Sequence, residues 1–505
     1  MILALDRQSP VPLYTQIATK LRAMIAAGTI KVGDRLPAHR ALAETLGVNR
    51  TTVMTAYDEL LADGLIGSRI GSGTYVIAKP LQAAAMTNIQ TPTLAPLNWD
   101  AMLTDLGADE WLAQRGLPQG REEILFTMAL PNTSLFPLDA FRHSVERVMR
   151  REGRQLLQLG TSRGYEPLQQ YLLEQAALVG IRATPEEILI TSGCQQALDQ
   201  LRQIMLQPGD EVVLENPTYP GAVTLFCRAP YKPLSVAVNK DGLDLDALEA
   251  ILQQRRPKMI YVVPTFHNPT GATMDIASRR RLLDLAAQYR VPIIEDDIYH
   301  DLRYEGAAVP SLKALDPYGV VIHINSFSKV AFPGLRVGWV IAPRRVIEHL
   351  HTLKQRTELH GNLLAQAALC DFARHGELAK HIQRCRRSYT QKRDAMLGAL
   401  QQHFPTETQW TKPDGGLAIW VKLPAGLDAQ RLLLKSQEQQ VSFTPGVRFY
   451  VNGACPDTLR LSFSLASLAQ IEEGIKRLGR IVTAQLAQAK RQPQTARTHR
   501  ATVLV

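Results

Sequence analysis

Lys329 stands in the run Ile324-Asn-Ser-Phe-Ser-Lys-Val-Ala-Phe-Pro-Gly-Leu-Arg336, at the end of an apolar stretch. Ser326 and Ser328 flank its approach, and Arg336 follows seven positions on. A lysine destined for water has no need of such company. Hydroxyls and a guanidinium fork are what a phosphate group requires, and an amine held out of water can lose its proton and attack a carbonyl carbon. The run therefore offers a nucleophilic amine beside an anion seat.

Further polar residues recur at the C-terminal ends of apolar stretches, where open α/β sheets place their ligands. "EEILITSGCQQALDQL" reads as strand, then Ser192-Gly193-Cys194-Gln195, then helix, so that the helix start supplies backbone N–H groups for an anion. "VVLENPTYPG" ends at Tyr219, a flat ring able to stack on another; "MIYVVPTFHNPTG" ends at Asn268; "VPIIEDDIYHDLRY" ends at Asp296 and Tyr299. Each residue alone has an ordinary reading as a turn, a cap or a solvated charge. Together they make an anion seat, a stacking ring, an amide donor, a carboxylate and an amine, the set that pyridoxal 5'-phosphate needs. The lysine would form a Schiff base with the aldehyde, and the carboxylate would keep the pyridine nitrogen protonated. Asn268 and Tyr299 would face the ring oxygen, while Ser326, Ser328, Arg336 and the helix start would hold the phosphate.

The elements that must position these groups divide the chain. With 505 residues, two or three domains are expected. Residues 1–9 read as an extension, 10–78 as a compact helical and hairpin block, and 79–120 as a Pro/Gln/Thr/Ala-mixed linker with one short helix near Asp100–Gln114. Residues 121–484 alternate strand and helix as an α/β domain with a largely parallel sheet, and 485–505 read as a basic, disordered tail. The net charge of +10 is concentrated at the ends, +3 within residues 1–80 and +4 within 486–505, a weak pointer to a polyanion partner. Five scattered cysteines form no Cys-x-x-Cys pair, which argues against a disulfide framework or zinc site and suits a reducing cytoplasm. No apolar run is long enough to span a membrane, and the start has no signal-peptide pattern.

In the first block, Leu13, Ile17, Leu21, Met24 and Ile25 form one helical stripe. Pro37 suits the first turn of a second helix, carrying Ala41, Leu42 and Leu46 and closed by Gly47 in a left-handed conformation. Asn49 caps a third, whose Val53, Tyr57, Leu60 and Leu61 are expected to face inward and which Gly64 ends. The pair is a helix-turn-helix candidate that exposes Arg50, Thr51 and Thr52, residue types able to reach bases and phosphates from a major groove. "LIGSRIGSGTYVI" follows as a β-wing.

Gly33-Asp34-Arg35-Leu36-Pro37, Arg40, Arg50-Thr51-Thr52-Val53, Tyr57, Gly64-Leu65-Ile66 and Gly71-Ser72-Gly73-Thr74 together resemble the GntR family of bacterial winged-helix repressors. The resemblance implies DNA contacts at Arg40, Arg50, Thr51 and Thr52, with the wing turn Gly71-Ser72-Gly73 approaching the minor groove. His267-Asn268-Pro269-Thr270-Gly271, Glu295-Asp296-Asp297 and Ser326-Phe327-Ser328-Lys329 with Phe332-Pro333-Gly334-Leu335-Arg336 resemble the fold type I, aspartate-aminotransferase-like enzymes. That resemblance implies the roles given above for Lys329, Asp296, Asn268, Tyr299 and Tyr219, and makes Arg460 the clamp for a substrate or effector carboxylate. Two positions depart from it: Leu159 where a tyrosine is common, and Cys194 where a hydroxyl residue is common at the phosphate seat.

The fusion resembles the MocR subfamily of regulators. It implies a homodimer, in which the readers could be swapped between protomers, that binds a double-stranded DNA operator and senses an amine, an amino acid or the cofactor itself through aldimine chemistry. The alternative is a working aminotransferase that carries a DNA-binding domain.

Overall fold

Apolar residues three and four apart between Leu13 and Ala26 line one face of a helix, and Ile17, Ala18, Leu21 and Ile25 are buried along it. The computed structural model that shows this describes residues 3–69, 73–78, 98–103, 123–227, 230–453 and 455–491. The chain forms two units, Met1–Gly116 and Leu117–Val505.

In the first unit α1 (Leu13–Ala26), α2 (His39–Leu46) and α3 (Arg50–Ala62) precede the wing strands β1 (Ile66–Arg69) and β2 (Gly73–Val76), which pair antiparallel. Pro37 lies ahead of α2 rather than in its first turn, and its carbonyl accepts a hydrogen bond from the Tyr57 hydroxyl at 2.9 Å. Gly47 closes α2 at φ 61°, as expected. Asn49 caps α3 by accepting from the Thr51 N–H at 3.1 Å. Leu61 corrects the inward list. It is 49% exposed, because the buried stripe runs through Val53, Ala56, Tyr57 and Leu60, and the next position turns about 100° away. Removing Ile17, Leu21, Val53 and Leu60 from water stabilises this unit by about 1.5–3 kcal/mol per side chain. Of the expected linker helix, one turn, Trp99–Met102, lies among the described residues.

The second unit holds two sheets. In the larger, the strands run in the order β4 (Ile188–Thr191), β11 (Gly338–Ile341), β10 (Val321–Ser326), β9 (Ile293–Asp296), β8 (Met259–Val262), β5 (Glu211–Asn216), β6 (Lys232–Asn239) and β7 (Gly242–Leu243). Neighbours from β10 to β6 are parallel. β11 is antiparallel to both of its neighbours. Expecting a largely parallel sheet was correct apart from this return strand and the β6–β7 hairpin. The return matters for the site, since it carries the chain back from Lys329 past the end of β4.

The smaller sheet, in the order β12 (Gln409–Trp410), β13 (Ala418–Lys422), β15 (Thr458–Ser462), β14 (Val441–Pro445) and β3 (Ile124–Phe126), was not separated from the first by sequence patterning. β3, the first strand after the linker, pairs in parallel with the late strand β14. The final helix, Leu468–Arg491, runs past the expected limit at residue 484. Ile471, Ile475, Leu478, Val482 and Leu486 keep one buried stripe, and Lys490 pairs with Glu407 at 2.8 Å. The rest of the basic tail lies outside the described residues.

Candidate functional site

The larger sheet delivers its polar residues to one edge, as the strand ends required. Asp296 is the last residue of β9 and only 4% exposed. Its Oδ2 accepts from the Tyr261 hydroxyl at 3.0 Å, while Oδ1 is buried without a hydrogen-bonding partner among the described residues. Burial disfavours the charged carboxylate and raises its pKa to about 6; the Tyr261 hydrogen bond works in the opposite direction. A protonated ring nitrogen is the donor that such an orphaned oxygen fits.

Lys329 closes a short helical turn, Phe327–Lys329, after β10. Its Nζ donates to the Ala129 carbonyl at 2.7 Å and lies 5.8 Å from the centre of the Tyr299 ring. Tyr299 is buried, and burial pushes its phenol well above the usual range, so it stays a donor. Asn268 Oδ1 accepts from Arg460 Nη1 at 2.9 Å. A guanidinium has no acceptor atom, so this bond fixes the amide orientation and turns Nδ2 toward other partners. Tyr219 is half-buried, and its hydroxyl donates to Gln195 Oε1 at 3.1 Å.

The turn expected to seat the phosphate lies where Gly193 caps the helix Cys194–Met205. The helix start leaves backbone N–H groups without intrahelical acceptors. Arg336 reaches it from the β10–β11 return, donating to the Ser192 carbonyl at 2.8 Å and lying 3.4 Å from Ser328 Oγ. Gly193 takes φ 87°, where a side chain is strained, and a Cβ there would lie 2.7 Å from Arg336 Nη2. Cys194 is buried, and burial drives its thiol well above the usual range; its contribution is the backbone N–H and a weakly donating sulfur. Ser326 has a different position from its neighbour. Its hydroxyl donates to Val337 O at 3.0 Å, accepts from Ser328 N–H at 3.0 Å and meets Ser328 Oγ at 2.7 Å. It therefore braces the turn, and Ser328 stands between it and Arg336.

Arg460, on β15, is 4% exposed. Besides Asn268 it donates through Nη2 to the Thr127 carbonyl at 2.6 Å, and it lies 5.0 Å from the Phe449 ring centre. A small pocket lies beside Asn268, lined in part by Ala129, His267, Tyr299, Leu417 and Ala418. The structure thus brings Lys329, Asp296, Tyr219, Asn268, Tyr299, Ser328, Arg336 and the Gly193–Gln195 turn to one edge of the larger sheet, and Arg460 of the smaller sheet meets them through Asn268. Sequence reading missed Tyr261, whose one signal is a hydroxyl inside the apolar run "MIYVV". It also missed the carbonyls of Thr127 and Ala129, for which side-chain identity carries no signal.

In the first unit, Arg40, Arg50 and Thr51 are exposed and Thr52 is half-buried. Gly73 opens β2 at φ 110°. Gly71 and Ser72 lie outside the described residues.

Comparison with known proteins places both units. The family described as "Bacterial regulatory proteins, gntR family" matches residues 13–76, and "Aminotransferase class I and II" matches residues 132–478. The 2-aminoadipate transaminase of Thermus thermophilus is 38% identical over 365 residues, 72% of this chain and 90% of the relative. The "Probable rhizopine catabolism regulatory protein MocR" of Rhizobium meliloti is 31% identical over 486 residues, 94% of this chain and 95% of the relative. Among solved structures, the Thermus thermophilus α-aminoadipate aminotransferase LysN complexed with N-(5'-phosphopyridoxyl)-L-leucine superposes with a TM-score of 0.72. It is 36% identical and covers 78% of this chain and all of that one. With the orphaned Asp296 oxygen, the amine and the phosphate seat, these likenesses identify the cofactor as pyridoxal phosphate. The chain belongs to the MocR-like GntR-type transcriptional regulators, in which a DNA-binding winged helix-turn-helix is fused to an aminotransferase class I and II domain.

Proposed function

We propose that the chain regulates transcription in response to an amine, most simply an amino acid, taken up beside Lys329 and clamped by Arg460 through its carboxylate. When bound, the cofactor supplies an aldehyde that condenses with primary amines and a pyridinium that withdraws electrons. The chain's own residues do the rest. Asp296, supported by Tyr261, holds the ring-nitrogen proton; Tyr219 covers the ring; Asn268 and Tyr299 donate to the ring oxygen. Ser328, Arg336 and the Gly193-Cys194-Gln195 turn bind the phosphate, with Ser326 behind them. Arg40, Arg50, Thr51, Thr52 and the wing turn 71–73 read the DNA.

One observation carries this reading: Arg460, nearly buried, donates to Asn268 Oδ1 at 2.9 Å, and Asn268 lines the same small pocket as Tyr299 and Ala129, whose carbonyl accepts from the Lys329 amine. A pocket that kept the cofactor only as a structural plug would need no second cation there. We place the protein in the cytoplasm as a homodimer, for which the exposed Leu157, Leu159 and Leu359 supply apolar surface. Among the described residues no helix is long and apolar enough to cross a membrane.

The test is fluorescence anisotropy of the cofactor-loaded chain on DNA from upstream of its own gene, with each common amino acid added in turn. At least one should change the affinity by about fivefold or more, a coupling of roughly 1 kcal/mol. A flat response to amines and to the cofactor would end the sensor reading. The transaminase likeness keeps a second reading in view. Rapid multiple turnover from amino acid to keto acid would favour that enzyme, and a single slow turnover the regulator.

A further inference from the structure

Three successive carbonyls after β3 each accept from a side-chain donor. Thr127 O accepts from Arg460 Nη2 at 2.6 Å and from Thr444 Oγ1 at 3.0 Å. Met128 O accepts from Ser464 Oγ at 3.4 Å, and Ala129 O from Lys329 Nζ at 2.7 Å. Arg460 and Thr444 belong to β15 and β14 of the smaller sheet, whereas Lys329 follows β10 of the larger one. The same segment continues upstream through β3, which is in register with β14, directly into the linker that leads to the DNA-binding unit.

We propose that residues 127–129 form a strap that reports the chemical state of the Lys329 nitrogen to that linker. The inference rests on the sensor reading above and adds its first moving part. A protonated lysine amine carries three N–H donors. When it condenses with the cofactor aldehyde, the carbonyl oxygen leaves as water with two of those hydrogens. The nitrogen keeps at most one, which is drawn to the ring oxygen. Ala129 O, in a residue only 8% exposed, then loses its donor, and a buried carbonyl without a partner is costly. The strap is therefore released at its Lys329 end. An incoming amine that takes over the aldehyde carbon returns two hydrogens to Nζ without any net change in water, and the clasp to Ala129 re-forms. A carboxylate on that amine competes for the Arg460 donors that now hold Thr127 O, so an amino acid and a simple amine leave the strap in different states.

Hydrogen–deuterium exchange on the full chain, read at residues 123–132, tests this with aminooxyacetate and O-methylhydroxylamine. Both capture the aldehyde and free the lysine, and only the first has a carboxylate. Cofactor loading should speed exchange in this segment by about fivefold. O-methylhydroxylamine should return it to the cofactor-free rate, and aminooxyacetate should leave it distinct from both. Borohydride trapping of the cofactor on Lys329, run in parallel, reports whether the nitrogen was modified. If the label forms and exchange at 123–132 does not change, the strap is overturned while the sensor reading stands. If no label forms at Lys329, both fall together. Lys329→Ala should exchange rapidly with or without cofactor, and a slow, cofactor-independent rate in a folded variant would also overturn the strap.

Discussion

The hydroxyl of Tyr261, on β8, stands 3.0 Å from Oδ2 of Asp296, on β9, and leaves Oδ1 of the same carboxylate buried without a hydrogen-bonding partner among the described residues. A neutral hydroxyl thus supports the negative charge that must hold a pyridinium. Tyr261→Phe should weaken cofactor binding by about tenfold, the worth of one hydrogen bond to a charged group at the low end. Titration of the cofactor by its effect on tryptophan fluorescence measures this, and unchanged affinity would remove Tyr261 from the site.

Asp296 should cost the cofactor-free chain stability at neutral pH. Its folded pKa, about 6, lies above its unfolded value near 4, so between those pH values the folded state binds more protons. Stability then falls as pH rises through the window from about 4 to about 6 and stays lowered above it, by roughly 3 kcal/mol at most. Asp296→Asn should therefore melt higher than the parent at pH 8 without cofactor, converge with it near pH 4, and bind the cofactor poorly. Thermal melts across pH decide; a lower melting temperature at pH 8 would show that the carboxylate stabilises the fold.

Ser326 and Ser328 should separate in their effects. Ser328→Ala removes a hydroxyl beside Arg336 and should weaken cofactor binding about tenfold with little change in melting temperature. Ser326→Ala removes three hydrogen bonds inside the turn and should lower stability by about 1–3 kcal/mol. Paired melts and cofactor titrations distinguish them, and equal profiles would contradict the division of labour.

At the DNA-reading helix, Arg50→Ala should weaken operator binding by about 1–3 kcal/mol and relax specificity at one position if the side chain reads a base edge. If it holds a phosphate, binding should weaken evenly across sequences and the salt dependence should become shallower. Gel shifts on point-mutated operators, repeated at two salt concentrations, separate the outcomes. Unaltered binding would exclude Arg50 from the interface.

Much of the molecule was legible from residue type and local spacing. The stripe in α1, the Asn49 cap, the left-handed Gly47, the wing and the series of polar strand ends are decided within a few residues, because turn sterics and side-chain periodicity act at that range. The roles proposed for Lys329, Asp296, Asn268 and Arg336 rest on the same kind of reading, since one cofactor would account for all of them. Leu61 and Pro37 went astray where a single position shifts a residue off the buried face or out of the first turn.

What local order could not contain was contact between distant segments. The pairing of β3 with β14, the antiparallel return of β11 that sets Arg336 against Gly193, and the support of Asp296 by Tyr261 all join residues far apart in the chain. The holds on Thr127 and Ala129 are more hidden still, because every residue type offers the same backbone carbonyl. Side-chain identity therefore declared the chemistry of the site, while only the packing of two sheets could decide which carbonyls its cations would grip.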